Sequence, residues 1–144
     1  MISFFVSGKP QGKGRPRFTR EGHTYTPDAT KDYEERVKLA FKQACGVKID
    51  GAVSAFIHAY FPVPNSDSKK KREEKLSEVF TCTLKPDCDN IAKIVLDALN
   101  GLAYDDDKQI TELVVCKSYC KTPGVSVSLA PVSEFRKGEA HATD

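Results

Sequence analysis

The chain has 144 residues, 40% hydrophobic and 29% charged. That length fits one domain able to bury roughly two thirds of the surface its unfolded form exposes. No apolar run reaches the ~18 residues that a membrane span requires, and the opening Met-Ile-Ser-Phe-Phe-Val lacks the pattern of a secretory signal. A net charge of +2 is too near neutral to point to nucleic acid by itself. Its distribution says more: five cations and no acid lie between Lys9 and Arg20, whereas Asp105, Asp106 and Asp107 are consecutive acids. Cys45, Cys82, Cys88, Cys116 and Cys120 form no Cys-x-x-Cys pair, which argues against a zinc ribbon or a disulfide framework and for a reducing, cytoplasmic setting.

Ile2 to Val6 is a short β-favouring run and predicts the first strand. The segment Gly8 to Phe18 holds three glycines and two prolines between cations. Glycines let a backbone approach phosphates closely, and Lys9, Lys13, Arg15 and Arg17 supply the charge for binding a DNA backbone. The aromatic rings of Phe18 and Tyr25 nearby strengthen that reading; the alternative is a solvated basic turn. It is not a Walker A loop, because Gly8 to Gly12 is one residue short and Gly14 stands where Ser or Thr holds magnesium.

Thr30 is the expected N-cap of a scaffold helix whose buried stripe is Tyr33, Val37, Ala40, Phe41 and Ala44, with Gly46 ending it. Val53 to Phe61 alternates as a strand does, and the lone His58 within it reads as packed or hydrogen-bonded rather than metal-binding. After the Pro62–Ser66 break, Lys69 to Lys75 predicts an exposed helix with Lys69–Glu73 and Lys70–Glu74 pairs. Val79 to Leu84 reads as a short strand. Ile110 to Tyr119 and Val125 to Leu129 predict two more strands, and residues 133–144 a polar, unstructured tail. The expected architecture is a mixed α/β (α+β) fold: a single small domain at residues 1–132, with two or three helices packed on a mixed sheet.

The stretch Lys85 to Ile110 carries the most regular helix pattern, with apolar residues at Ile91, Ile94, Val95, Ala98, Leu99 and Leu102. Asp89, Lys93, Asp97 and Asn100 fall on the opposite side. Asp87 or Asp89 suits the N-cap and Asn100-Gly101 the close. Leu96 alone is apolar on the polar side, to be covered by a partner copy or by local packing. Two carboxylates 4 Å apart repel by about 4 kcal/mol at an effective dielectric near 20. Gathering Asp87, Asp89, Asp106 and Asp107 therefore calls for a cation, a shared proton or a lysine. An all-oxygen set favours Mg²⁺, with Mn²⁺ as substitute, over zinc. An EF-hand is excluded, since counting from Asp87 puts Ala92 and Ala98 where its Gly and Glu belong. The plainer reading makes these acids helix caps and a surface turn, with Asp97 paired to Lys93.

The same stretch, Lys-Pro-Asp-Cys-Asp-Asn, then Lys93, Asp97-Ala98-Leu99 and Asp106-Asp107-Lys108-Gln109, resembles the signature of the RusA-type Holliday junction resolvases. Gly12-Lys13-Gly14-Arg15-Pro16-Arg17 resembles that family's N-terminal basic element, so the likeness covers nearly the whole chain. The resemblance implies metal binding by Asp87, Asp89 and Asp107 and a functional role for Lys93. Gln109 sets the register of the acidic pair. It also implies a magnesium-dependent homodimer that makes paired nicks in four-way DNA junctions, in recombination and repair. The competing readings are a non-catalytic DNA-binding protein with a structural cation and a small metal-dependent nucleotide phosphohydrolase.

Overall fold

In Val53–Phe61, every second residue from Val53 to Phe61 is buried, and this alternation makes β4 the centre of the molecule. A computed structural model describes residues 1–132; the tail expected at 133–144 lies outside the described residues. Besides β4, the main sheet contains β1 (Ile2–Ser7), β5 (Ile110–Tyr119) and β6 (Gly124–Pro131). Their order is β1-β6-β4-β5, with β4 antiparallel to β6 and parallel to β5. The sheet is mixed, as expected. Two short strands, β2 (Arg17–Phe18) and β3 (Thr24–Tyr25), form a separate hairpin.

A parallel neighbour requires a long crossover, and here it carries α2 (Lys69–Leu76) and α3 (Cys88–Leu99). Ile91, Ile94, Val95, Ala98 and Leu99 of the expected stripe form the buried side of α3, which packs against β5 and against α1 (Asp28–Gln43), whereas Leu102 lies in the turn after the helix and is half-buried. Leu96 is buried too, so local packing within this chain accounts for it. The carbonyl of Leu96 accepts a 2.5 Å hydrogen bond from the hydroxyl of the buried Tyr104.

Several local expectations are corrected. The first helix starts at Asp28 with Pro27 at its N-cap; Thr30 is buried inside the first turn and its Oγ1 accepts a 3.2 Å bond from the Gly14 amide. Val79 to Leu84 is not a strand. Val79 and Phe80 are 66% and 44% exposed, and the segment pairs with neither outer strand of the sheet, so its β-favouring side chains have no ladder to join. On α2 the ion pair is Lys75–Asp67 at 2.6 Å, reaching across the Ser68 N-cap, in place of the two expected i, i+4 pairs. His58 does pack: its ring stacks on Tyr60 at 4.3 Å and its Nε2 lies 2.6 Å from Ser118 Oγ.

The end of α1 shows why its glycine sits where it does. The left-handed position after Ala44 is taken by Cys45, at φ 56°, and not by glycine. Gly46 follows, donating its amide to the Phe41 carbonyl at 3.0 Å, and a Cβ there would lie 2.4 Å from the buried Phe41 ring. Space beneath Phe41, rather than a positive φ, requires glycine at this position. Gly46→Ala is expected to destabilise the protein by about 1–3 kcal/mol through overpacking, read as a lowered midpoint in urea denaturation.

Candidate functional site

The backbone of the N-terminal loop is fastened to α1 and α3, while Lys9, Arg15 and Arg17 stay exposed. The Lys13 amide donates to the Asn90 carbonyl on α3 at 3.2 Å, while the next amide, Gly14, reaches Thr30 on α1. The approach is close enough that a Cβ on Gly12 would lie 2.8 Å from Pro86 Cβ, and one on Gly14 2.6 Å from Thr30 Oγ1. The glycines thus act where one backbone lies against another element. The result is an open cleft of about 540 Å³ between loop and helix start, lined by Lys9, Gln11, Lys13, Arg15, Lys85, Asp87 and Asn90 among others.

Lys13 differs from the other cations. Its Nζ lies 2.6 Å from Glu34 Oε1 and 3.2 Å from Asp97 Oδ2, and Asp97 Oδ2 is also 3.3 Å from Lys93 Nζ. Asp97 therefore pairs with Lys93, as the helix spacing suggested, and also with the loop. Glu34 was not singled out from the sequence, because nothing in its spacing on α1 shows that Lys13 would fold back over it. Burial works to lower the Lys13 pKa, but the hydrogen bonds and charges of Glu34 and Asp97 outweigh it and the net shift is upward. Lys93 keeps its side chain 62% exposed. Arg17 stands beyond the cleft, in β2 of the exposed hairpin.

Asp87 is the N-cap residue of α3, yet its side chain makes no capping hydrogen bond, and Asp89 lies in the first turn. Neither carboxylate has a hydrogen bond or ion pair among the described residues. Cys88, between them, directs its Sγ to the Val115 carbonyl on β5 at 3.8 Å. The acidic turn is arranged differently. Asp106 caps a single 3₁₀ turn (Asp107–Gln109), accepting from the Lys108 amide at 2.9 Å, and that backbone bond is the main cause of its lowered pKa. Asp105 pairs with Lys48 at 2.8 Å. With Asp106 engaged as cap and Asp105 as ion pair, Asp107 is the acid of the turn not used in either.

Gln109 holds this turn with all the bonding its amide offers. Its Oε1 accepts from the amides of Asp105 and Asp106 at 2.9 and 3.1 Å, and its Nε2 donates to the carbonyls of Ile49 and Gly51 at 3.1 and 2.9 Å. Because β4 and β5 run parallel, with Val53 opposite Ile110, the segments leading into both strands lie side by side and one glutamine can tie them together. Beneath, the buried Tyr104 hydroxyl has its pKa pushed up by burial and by the nearby charges of Asp107 and Asp97.

The fold thus puts Lys9, Lys13, Arg15 and Asp87 on one cleft and links Lys13 to Lys93 through Asp97. It does not draw Asp87, Asp89 and Asp107 into a closed nest: among the described residues, no three carboxylate, imidazole or thiolate groups converge closely enough to hold a metal ion. The donor chemistry nevertheless fits a hard divalent cation, since Asp87 and Asp89 are exposed carboxylates without a protein partner and no thiolate or imidazole joins them.

A mixed sheet entered by an acidic turn, with a basic glycine loop fastened across a helix start, defines the class. The family model for the endodeoxyribonuclease RusA matches residues 7–130. The chain is also similar to the uncharacterized protein YqaN of Bacillus subtilis (strain 168), with 41% identity over 138 residues, 92% of this chain and 97% of that protein. This chain belongs to the RusA endodeoxyribonuclease family.

Two outcomes test the local chemistry. The raised Lys13 pKa means that its ion pairs stabilise the fold below the ordinary value of 10.5, a contribution lost as pH climbs through the higher folded value. Lys13→Met is therefore expected to be less stable than the parent at pH 8, with the difference in urea midpoints closing well above pH 10.5. Gln109→Ala leaves two amides and two carbonyls without their partner, at a cost of about 1–3 kcal/mol. Hydrogen exchange is expected to show the Asp105 and Asp106 amides losing protection before the sheet does.

Proposed function

We propose that this protein is a structure-selective endodeoxyribonuclease that resolves four-way DNA junctions in recombination and repair, by paired, Mg²⁺-dependent phosphodiester hydrolysis. The observation that carries the proposal is the shared cleft: Lys9, Arg15 and Lys85 line it together with the unpaired carboxylate of Asp87. Cations alone hold a DNA backbone without cutting it. A free carboxylate on the wall of an otherwise cationic cleft opposes phosphate binding unless it has a further task. The nucleotide phosphohydrolase reading leaves the fastened basic loop without a use.

In this reading Asp87, Asp89 and Asp107 would hold the divalent ion, with Mn²⁺ an acceptable substitute. When bound, the ion supplies Lewis acidity that activates water and offsets charge on the phosphate. Lys9, Arg15 and Arg17 grip the phosphates, and Lys13 keeps the loop in register with α3 while facing the same cleft. Lys93, tethered by Asp97 and largely exposed, presents an ammonium to the negative charge that builds on the phosphate. A homodimer gives a two-fold junction two such sites and makes paired nicking a consequence of symmetry. Exposed Phe5 and Phe56, on adjoining parts of one sheet face, support that face as the seat of the partner copy.

The test uses an end-labelled four-way junction and a matched linear duplex, with Mg²⁺ or with chelator. Symmetric nicks on the junction alone, abolished by chelator, are expected. Asp87→Asn is expected to bind the junction as well as the parent or better and to cut nothing. Cleavage that persists in chelator or survives Asp87→Asn overturns the proposal. So does hydrolysis of free nucleotides with intact junctions left behind.

A further inference from the structure

The β2–β3 hairpin is built but supports nothing. Arg17 pairs with Tyr25 and Phe18 with Thr24, and its tip is closed by three bonds: Thr19 amide to His23 carbonyl, His23 amide to Thr19 Oγ1, and Gly22 amide to Thr19 carbonyl, at 2.8, 3.1 and 3.0 Å. Gly22 turns the tip at φ 82°. The hairpin makes no substantial packing contact with the helices or the main sheet. Phe18 is consequently 74% exposed, and Tyr25 46%. An apolar ring on a two-residue strand, contributing to no core, is the feature to explain.

Its surroundings indicate the kind of surface it meets. Arg15 leads into the hairpin, Arg17 lies in β2 and Arg20 in the tip, where Glu21 is the hairpin's one acid. Arg15 also lines the cleft beside Asp87, so the hairpin continues directly from the phosphate-facing wall. Aromatics among arginines also occur at protein interfaces, but here the segment continues from the cationic cleft that carries Asp87. Nucleic acid supplies both needs, with phosphates for the arginines and a flat π-face for the aromatic. In continuous duplex those faces are covered by neighbouring base pairs. At a branch point or in a single strand they become available.

We propose that the β2–β3 hairpin is a base-stacking probe, in which Phe18 stacks on a base exposed at a DNA branch point while Arg17 and Arg20 hold the flanking phosphates. Tyr25, paired with Arg17, puts a second aromatic surface on the other face of the hairpin. This role rests on the junction-binding function proposed above and adds a source of structural selectivity: the cleft contacts phosphates that every duplex has, whereas the hairpin responds to an uncovered base.

The chain contains no tryptophan, so Phe18→Trp installs a single indole reporter at the position in question. In chelator, so that nothing is cut, the indole fluorescence of full-length Phe18→Trp is expected to be quenched by a four-way junction and by single-stranded DNA, and to change little on a blunt duplex. Phe18→Ala is expected to weaken junction binding roughly tenfold, to leave duplex binding within twofold, and to keep the parent's thermal midpoint, because the residue is largely exposed and belongs to no buried core. An indole that stays bright when the junction is bound overturns the inference, as does a Phe18→Ala variant with unchanged junction affinity. If the parent cuts junctions while either result is found, the hairpin role alone falls. If the parent binds no branched DNA, both fall together.

Discussion

The contact on which the site depends is a bare loop backbone laid against two helix starts, where Gly12-Lys13-Gly14 crosses the beginning of α3 and the first turn of α1. Neither glycine tolerates a Cβ without pushing into Pro86, Asn90, Pro27 or Thr30. The side chain between them then enters a partly buried carboxylate pair. A basic loop left in water would offer only diffuse attraction. Fastened here, it forms one wall of a cleft whose other wall carries Asp87. The sheet contributes from a distance: β4 and β5 determine where the chain re-enters the layer, and α3 determines the angle at which the loop is met.

A second design element is the division of labour among neighbouring acids. Asp106 is consumed by local backbone geometry and Asp105 by Lys48, while Asp107 is left out of both. At the start of α3 the usual assignment is inverted, because the residue in the capping position does not cap. Five aspartates thus become two structural groups, Asp105 and Asp106, and three chemically available ones, Asp87, Asp89 and Asp107, separated by which neighbouring amide or ammonium each one meets.

The sheet and α3 were legible because their periodicities leave little choice: Val53 to Phe61 has one burial pattern as a strand, and Ile91 to Leu99 one as a helix. Thr30 misled because a hydroxyl near a helix start is a good cap by composition, whereas here it is bonded by an amide distant in sequence, from Gly14. Val79 to Leu84 misled because strand preference is local but strand formation needs a neighbour with unused backbone groups. The Asp-Asp-Lys-Gln run was visible as a motif, yet the work of Gln109 was not, since both carbonyls it reaches belong to a segment some sixty residues earlier. Lys13 and Arg15 look equivalent in sequence; only tertiary packing separates the one held by carboxylates from the one left facing the cleft.

The carboxylate of Asp97 is a single group with two clients, one on the loop and one on its own helix. Additivity accordingly fails across that carboxylate. Removing Lys13 leaves Asp97 wholly to Lys93, and removing Lys93 leaves it to the loop, so neither substitution reports on one side chain alone. Any comparison of loop and helix variants in this protein has to close the thermodynamic square with the double substitution before effects are apportioned between grip and chemistry.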